Sequence, residues 1–100
     1  MSMRTTLRPL NGQSVNFDNT SGGVQNSTEF TNPTISVLTN QTAYLKFGDS
    51  SVTVSNSDYD IRIIPNVRYD MSTGGAGYCA IIQDGGAGIA YINEWTYKAI

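Results

Sequence analysis

Apolar and polar residues alternate with a period of two along most of this chain. Ile35 and Val37 alternate with Thr34 and Ser36, and Ala43, Leu45 and Phe47 with Tyr44 and Lys46. Val52 and Val54 alternate with Thr53 and Ser55, and Ile61 and Ile63 with Asp60 and Arg62. The cleanest run sets Val67, Tyr69 and Met71 against Arg68 and Asp70. A two-residue period sends successive side chains to opposite faces, so each run predicts a half-buried antiparallel strand. No window of about 11 residues carries the period of an amphipathic helix.

Turn-forming residues punctuate these runs. Asn40-Gln41, Gly48-Asp49-Ser50, Asn56-Ser57-Asp58 and Pro65-Asn66 separate the successive apolar patterns. Pro65 lacks a ladder donor and marks a corner or an edge. Thr73-Gly74-Gly75-Ala76-Gly77 opens a strand over Tyr78–Gln83, and Asp84-Gly85-Gly86-Ala87-Gly88 joins it to Ile89–Asn93 as a hairpin. Many short strands with regular turns predict an all-β fold, a compact antiparallel β-sandwich or jelly roll. Residues 1–100 form a single domain with a β core over 34–93. Residues 1–33 read as an extended N-terminal arm or a first strand over Thr5 to Leu10, followed by an irregular polar region holding two irregular strands and a long loop, because Val15, Phe17, Val24 and Phe30 are sparse among Asn, Ser, Thr and Gly. Residues 94–100 read as a C-terminal tail that docks Trp95 and Tyr97 on a surface.

Composition narrows the function. Six Lys and Arg against eight Asp and Glu leave a net charge of −2, without the basic patch of a nucleic-acid binder. Charged residues are 14%, against about 25% in ordinary soluble domains. The short neutral side chains that replace them desolvate cheaply and suit lasting contact with protein, and a homotrimer is expected. There is no apolar leader near the N-terminus and no run of the length that crosses a membrane as a helix. Three matches to the glycosylation sequon, at Asn19, Asn26 and Asn40, read as chance in a chain so rich in Asn and Thr.

Candidate chemistry is thin. The sequence has no His, which removes Ser-His-Asp and Cys-His catalysis and the usual zinc sites. Cys79, the only cysteine, lies in the apolar run Tyr78–Ile82 and reads as a buried structural thiol. Asp58 and Asp60 are spaced to point the same way from a strand but read as a solvated strand start, and Asp49, Asp58, Asp60 and Asp70 lack a calcium-loop pattern. Gly75-Ala76-Gly77-Tyr78-Cys79-Ala80 matches a loose dinucleotide pattern without the helix that pattern needs. The expectation is no enzyme, cofactor or metal. Phe47, Tyr69 and Tyr78 read as core aromatics. Trp95, Tyr97 and Tyr44 read as interface aromatics, because Trp and Tyr combine contact area with a polar handle. The N-terminal stretch sets Arg4 and Arg8 beside Leu7 and Leu10, a composition suited to ordering on a partner, with the two arginines meeting carboxylates there.

The stretch from Ala43 to Val54, AYLKFGDSSVTV, resembles a recurrent segment of small structural proteins of tailed bacteriophages. The likeness extends over residues 33–93, through the polar loop Ser55–Asp60, the Ile64-Pro65-Asn66 turn and the Gly-rich segment Tyr78–Ile92. The run Asp58 to Ile64, richer in Asp and Ile than the family pattern, and the polar N-terminal region depart from it. The resemblance implies a virion component made in the bacterial cytoplasm. Its role would be that of a cement or decoration protein, binding the major capsid protein on the outer capsid surface and bridging its subunits. A head–tail connector, tail or fibre-base component is the alternative within the virion. A carbohydrate-binding module using Trp95 and Tyr97 is the alternative outside it.

Overall fold

The computed structural model describes the backbone of residues 5–25 and 34–99 and the side chains of residues 12–24 and 34–95. Eight strands follow one another: β1 (Thr5–Phe17), β2 (Gly22–Gln25), β3 (Thr34–Thr39), β4 (Ala43–Gly48), β5 (Ile61–Ile63), β6 (Tyr69–Ser72), β7 (Tyr78–Gln83) and β8 (Gly88–Ala99). They form two four-stranded antiparallel sheets, ordered β1-β8-β3-β6 and β2-β7-β4-β5, and the described residues contain no helix. β1 pairs with β8, β2 with β7, β3 with β6 and β4 with β5. The β3–β8 and β4–β7 ladders then join these pairs into the two sheets.

The inward rows are the ones the alternation marks. Ile35 and Val37 of β3 and Ala90 and Ile92 of β8 meet Ala43 and Leu45 of β4, Ile63 of β5, and Cys79 and Ile81 of β7 in one buried cluster. Val24 and Phe17 close its ends. Each fully buried Ile or Leu contributes roughly 1.5–3 kcal/mol by leaving water, so these two rows hold the sheets face to face. Phe47 and Tyr69 pack against the cluster as expected, while Tyr78 is half-buried outside it.

Several expectations are corrected. The Gly-rich link from β7 to β8 is no hairpin, because β7 and β8 belong to different sheets; Gly74, Gly75 and Gly85 do take the positive φ expected of them. The turn residues specify a reversal but not which strand lies beside which. Val52–Val54 is not a strand. It lies in the β4–β5 loop, where Val52 packs so close that a Cβ on Gly48 would sit 2.8 Å from it, and Val54 is buried with its N–H donating to Ser21 Oγ at 3.0 Å. Val67 is exposed ahead of β6.

The two ends of the chain also differ from the sequence reading. Residues 5–10 are the first half of β1, the intradomain strand that is the alternative to an arm seeking a neighbour, and pair with β8 of the same chain. Residues 94–99, read as a tail, continue β8. β3 begins opposite Trp95, so among the described residues β8 beyond it is laddered to β1 alone, as a two-stranded ribbon. Polar composition concealed β1, since of its described side chains only Val15 and Phe17 contribute apolar atoms to the core side. Met3 and Arg4 lie outside the described residues.

Candidate interaction surface

The outer faces of the two sheets are finished differently. Over the β2-β7-β4-β5 sheet, the loop from Asp49 to Asp60 folds back onto β4. Asp49 starts it by accepting from Ser51 Oγ–H at 2.6 Å and Ser51 N–H at 2.9 Å, and these bonds, the hydroxyl first, lower the Asp49 pKa. Lys46 Nζ meets Asp58 Oδ1 at 2.6 Å, and the Phe47 N–H donates to Asp60 Oδ2 at 2.9 Å. The Tyr59 ring lies 4.7 Å from that of Tyr44. Tyr44, expected at an interface, therefore packs under its own loop. Beside it Arg62 donates to Asp84 Oδ2 at 3.0 Å; that bond first, and Tyr44 second, raises the Arg62 pKa.

Across the β1-β8-β3-β6 sheet the outward side carries an open groove of about 570 Å³, lined among others by Ser14, Ser36, Leu38, Arg68, Tyr91 and Trp95. Period-two alternation puts Ala90, Ile92 and Glu94 of β8 inward, all buried, and Tyr91 and Trp95 outward. Trp95 crosses β3 diagonally and donates from Nε1 to Ser36 Oγ at 3.0 Å. The Arg68 guanidinium sits 5.3 Å from the centre of the Trp95 ring, a cation–π distance, and its Nε donates to Asp70 Oδ1 at 2.8 Å. The indole is thereby fixed from both sides. Tyr91, 51% exposed, and Leu38, 39% exposed, add apolar surface beside it. Trp, Tyr and Arg held rigidly on one face are the residue types that dominate binding energy at protein interfaces.

Register also gathers the candidate residues near the chain ends. Leu7 lies opposite Tyr97, Arg8 opposite Thr96 and Pro9 opposite Trp95, so four of the five singled-out positions share the ribbon end of one strand pair. Arg4 lies outside the described residues. Arg68, Tyr91 and Leu38 were not singled out. The signal for Tyr91 was present: carrying the alternation of Ala90 and Ile92 through to residue 94 places Tyr91 and Trp95 in one outward row. Glu94 concealed it, because a carboxylate there looked like the end of the core, whereas it is buried opposite Ile35.

The described residues offer no catalytic or metal constellation to set beside this face. The carboxylates of Asp49, Asp58, Asp60 and Asp70 each serve a different local partner, and no three His, Cys, Asp or Glu among the described residues group closely enough to hold a metal ion. Cys79 is fully buried, and desolvation first and the charge of Glu94 second push its thiol up to about 11. No described helix is long and apolar enough to cross a membrane. No protein-family model matches the chain, and none of the curated proteins matches it.

Proposed function

We propose that this chain is a non-enzymatic structural protein of a tailed-bacteriophage virion, a cement or decoration protein. It would bind the capsid through the outer face of the β1-β8-β3-β6 sheet. The observation that carries the binding role is the contrast between the two outer faces: the loop from Asp49 to Asp60 covers part of one and leaves a cleft of about 310 Å³ beside Tyr44 and Ile82, whereas the other presents Trp95, Arg68, Tyr91 and Leu38 around an open groove of about 570 Å³. A face built this way suits a partner that supplies the missing layer. We read the strand order as that of a jelly roll, in which eight strands fold as two Greek keys, an architecture shared by viral capsid and lectin domains. The choice of a capsid partner rests on the resemblance of the segment Ala43–Val54 to phage structural proteins.

A gel of purified virions with densitometry tests the assignment. Cement copies number in the hundreds per particle, whereas a connector ring has about a dozen. Absence of the chain from virions would refute the assignment to the particle. Binding of soluble glycans by the free protein, lost on Trp95→Ala, would favour the carbohydrate reading instead.

A further inference from the structure

On the β2-β7-β4-β5 sheet, Tyr44 of β4 stands opposite Ile82 of β7. Ala43, Leu45 and Ile81, their neighbours in sequence, are buried in the core, so alternation turns Tyr44 and Ile82 outward. The two side chains floor a cleft of about 310 Å³ with polar walls: Asn19 from the β1–β2 link, Asn56 from the loop after β4, and Gln83 and Asp84 at the end of β7. Arg62 holds two of these groups at once. It donates to the Tyr44 hydroxyl oxygen and, from Nε and an Nη each at 3.0 Å, to Asp84 Oδ2. Asp84 Oδ1 takes no part in that pair, and among the described residues the side-chain amides of Asn19, Asn56 and Gln83 make no hydrogen bond. Thr5, Gln25, Thr34 and Ala99, next to the residues outside the described set, all stand at the far ends of their strands from this cleft.

We propose that this cleft binds a neutral sugar residue of a glycan. Each sugar hydroxyl both donates and accepts, and a side-chain amide offers both functions in one plane. Three amides and a carboxylate oxygen around one cleft therefore match a row of adjacent hydroxyls. The C–H face of a pyranose ring packs on aromatic and aliphatic side chains, which Tyr44 and Ile82 supply. The Tyr59 ring, 4.7 Å away, and the bond from Arg62 fix Tyr44 before a ligand arrives, so little side-chain freedom is lost on binding. An anion is disfavoured, because Asp84 stands in the wall and the adjacent guanidinium is already paired with it. An apolar chain would leave the amides unmet. Small-molecule sites span about 300–1,000 Å³, and a cleft at the low end of that range takes one sugar residue. The two outer faces point away from each other, so this site is separate from the groove beside Trp95 and does not depend on the capsid reading.

Amide chemical shifts of the whole chain test the assignment, titrated with the methyl glycosides of glucose, galactose, mannose and N-acetylglucosamine up to tens of millimolar. At least one sugar should give saturable shifts centred on Asn19, Asn56, Gln83 and Asp84. The double substitution Asn56→Ala, Gln83→Ala should weaken that binding by about 10-fold, and Trp95→Ala should leave it unchanged. The proposal is overturned if none of the sugars shifts these residues, or if calcium chloride or inorganic phosphate does so in their place. Sugar binding that Trp95→Ala abolishes, or that the folded double variant retains in full, overturns it as well. Should the double variant fail to fold, Asn56→Ala alone, in an exposed loop, should weaken binding by about threefold, and undiminished binding by it counts against the cleft.

Discussion

Cys79 and Thr39 show how a single buried atom is expected to behave. The Cys79 thiol is pushed up from 9.0 to about 11, so between those values the unfolded chain loses its proton while the folded chain keeps it. Stability is therefore complete below about pH 9 and falls as pH rises through about 11, by on the order of 2 kcal/mol. Urea titrations should show that alkaline loss in the wild type and a smaller one in Cys79→Ala, and a thiol reagent at neutral pH should label Cys79 only after unfolding. Thr39 is 1% exposed, and its Oγ1 finds no hydrogen-bond partner among the described residues. Thr39→Val keeps the shape and removes the unmet hydroxyl, so it should raise stability by up to about 1 kcal/mol. A lower denaturation midpoint in Thr39→Val would contradict that reading of the site.

At the scale of elements, close packing at the corners fixes the path of the chain. Gly88 opens β8 opposite Phe17 of β1, and a Cβ there would fall 2.7 Å from Phe17 Cζ and 2.5 Å from Asn40 Oδ1. Gly88→Ala should cost about 1–3 kcal/mol in chemical denaturation. A neutral result would mean that the corner yields. The loop from Asp49 to Asp60 is held by contacts of unequal worth. Lys46→Ala removes a surface ion pair and should cost no more than about 1 kcal/mol, whereas Val54→Asp buries a charge and should cost several times more. The same elements show what could be read from sequence. The cores of β3, β4, β5 and β6 followed from alternation, because one apolar row per strand faces the core, and β7 from an apolar run bounded by Gly-rich turns. The Val52–Val54 pattern misled because a loop packed on a sheet also buries alternate residues. The full length of β1 and the end of β8 stayed hidden because Gln13 and Glu94 occupy inward positions that an apolar side chain would have marked. Sheet membership was beyond any local signal, since strands adjacent in sequence mostly cross from one sheet to the other.

For the whole molecule, the loop from Asp49 to Asp60 covers part of one outer face, and the other carries the open groove beside Trp95. Trp95 stood out in the sequence by its type, but its setting did not: the hydrogen bond to Ser36 of β3 and the guanidinium of Arg68, just ahead of β6, come from positions 59 and 27 residues away in sequence. The proposed interaction surface is the groove on the outward face of the β1-β8-β3-β6 sheet. The groove bears the central claim. It is tested most directly by titrating virions stripped of this protein with the wild-type chain and with Trp95→Ala, and measuring bound copies at equilibrium. The account predicts saturable binding of the wild type and a loss of affinity of about 30-fold or more for Trp95→Ala, the scale of a hot-spot residue. Equal binding by a folded Trp95→Ala variant would contradict it.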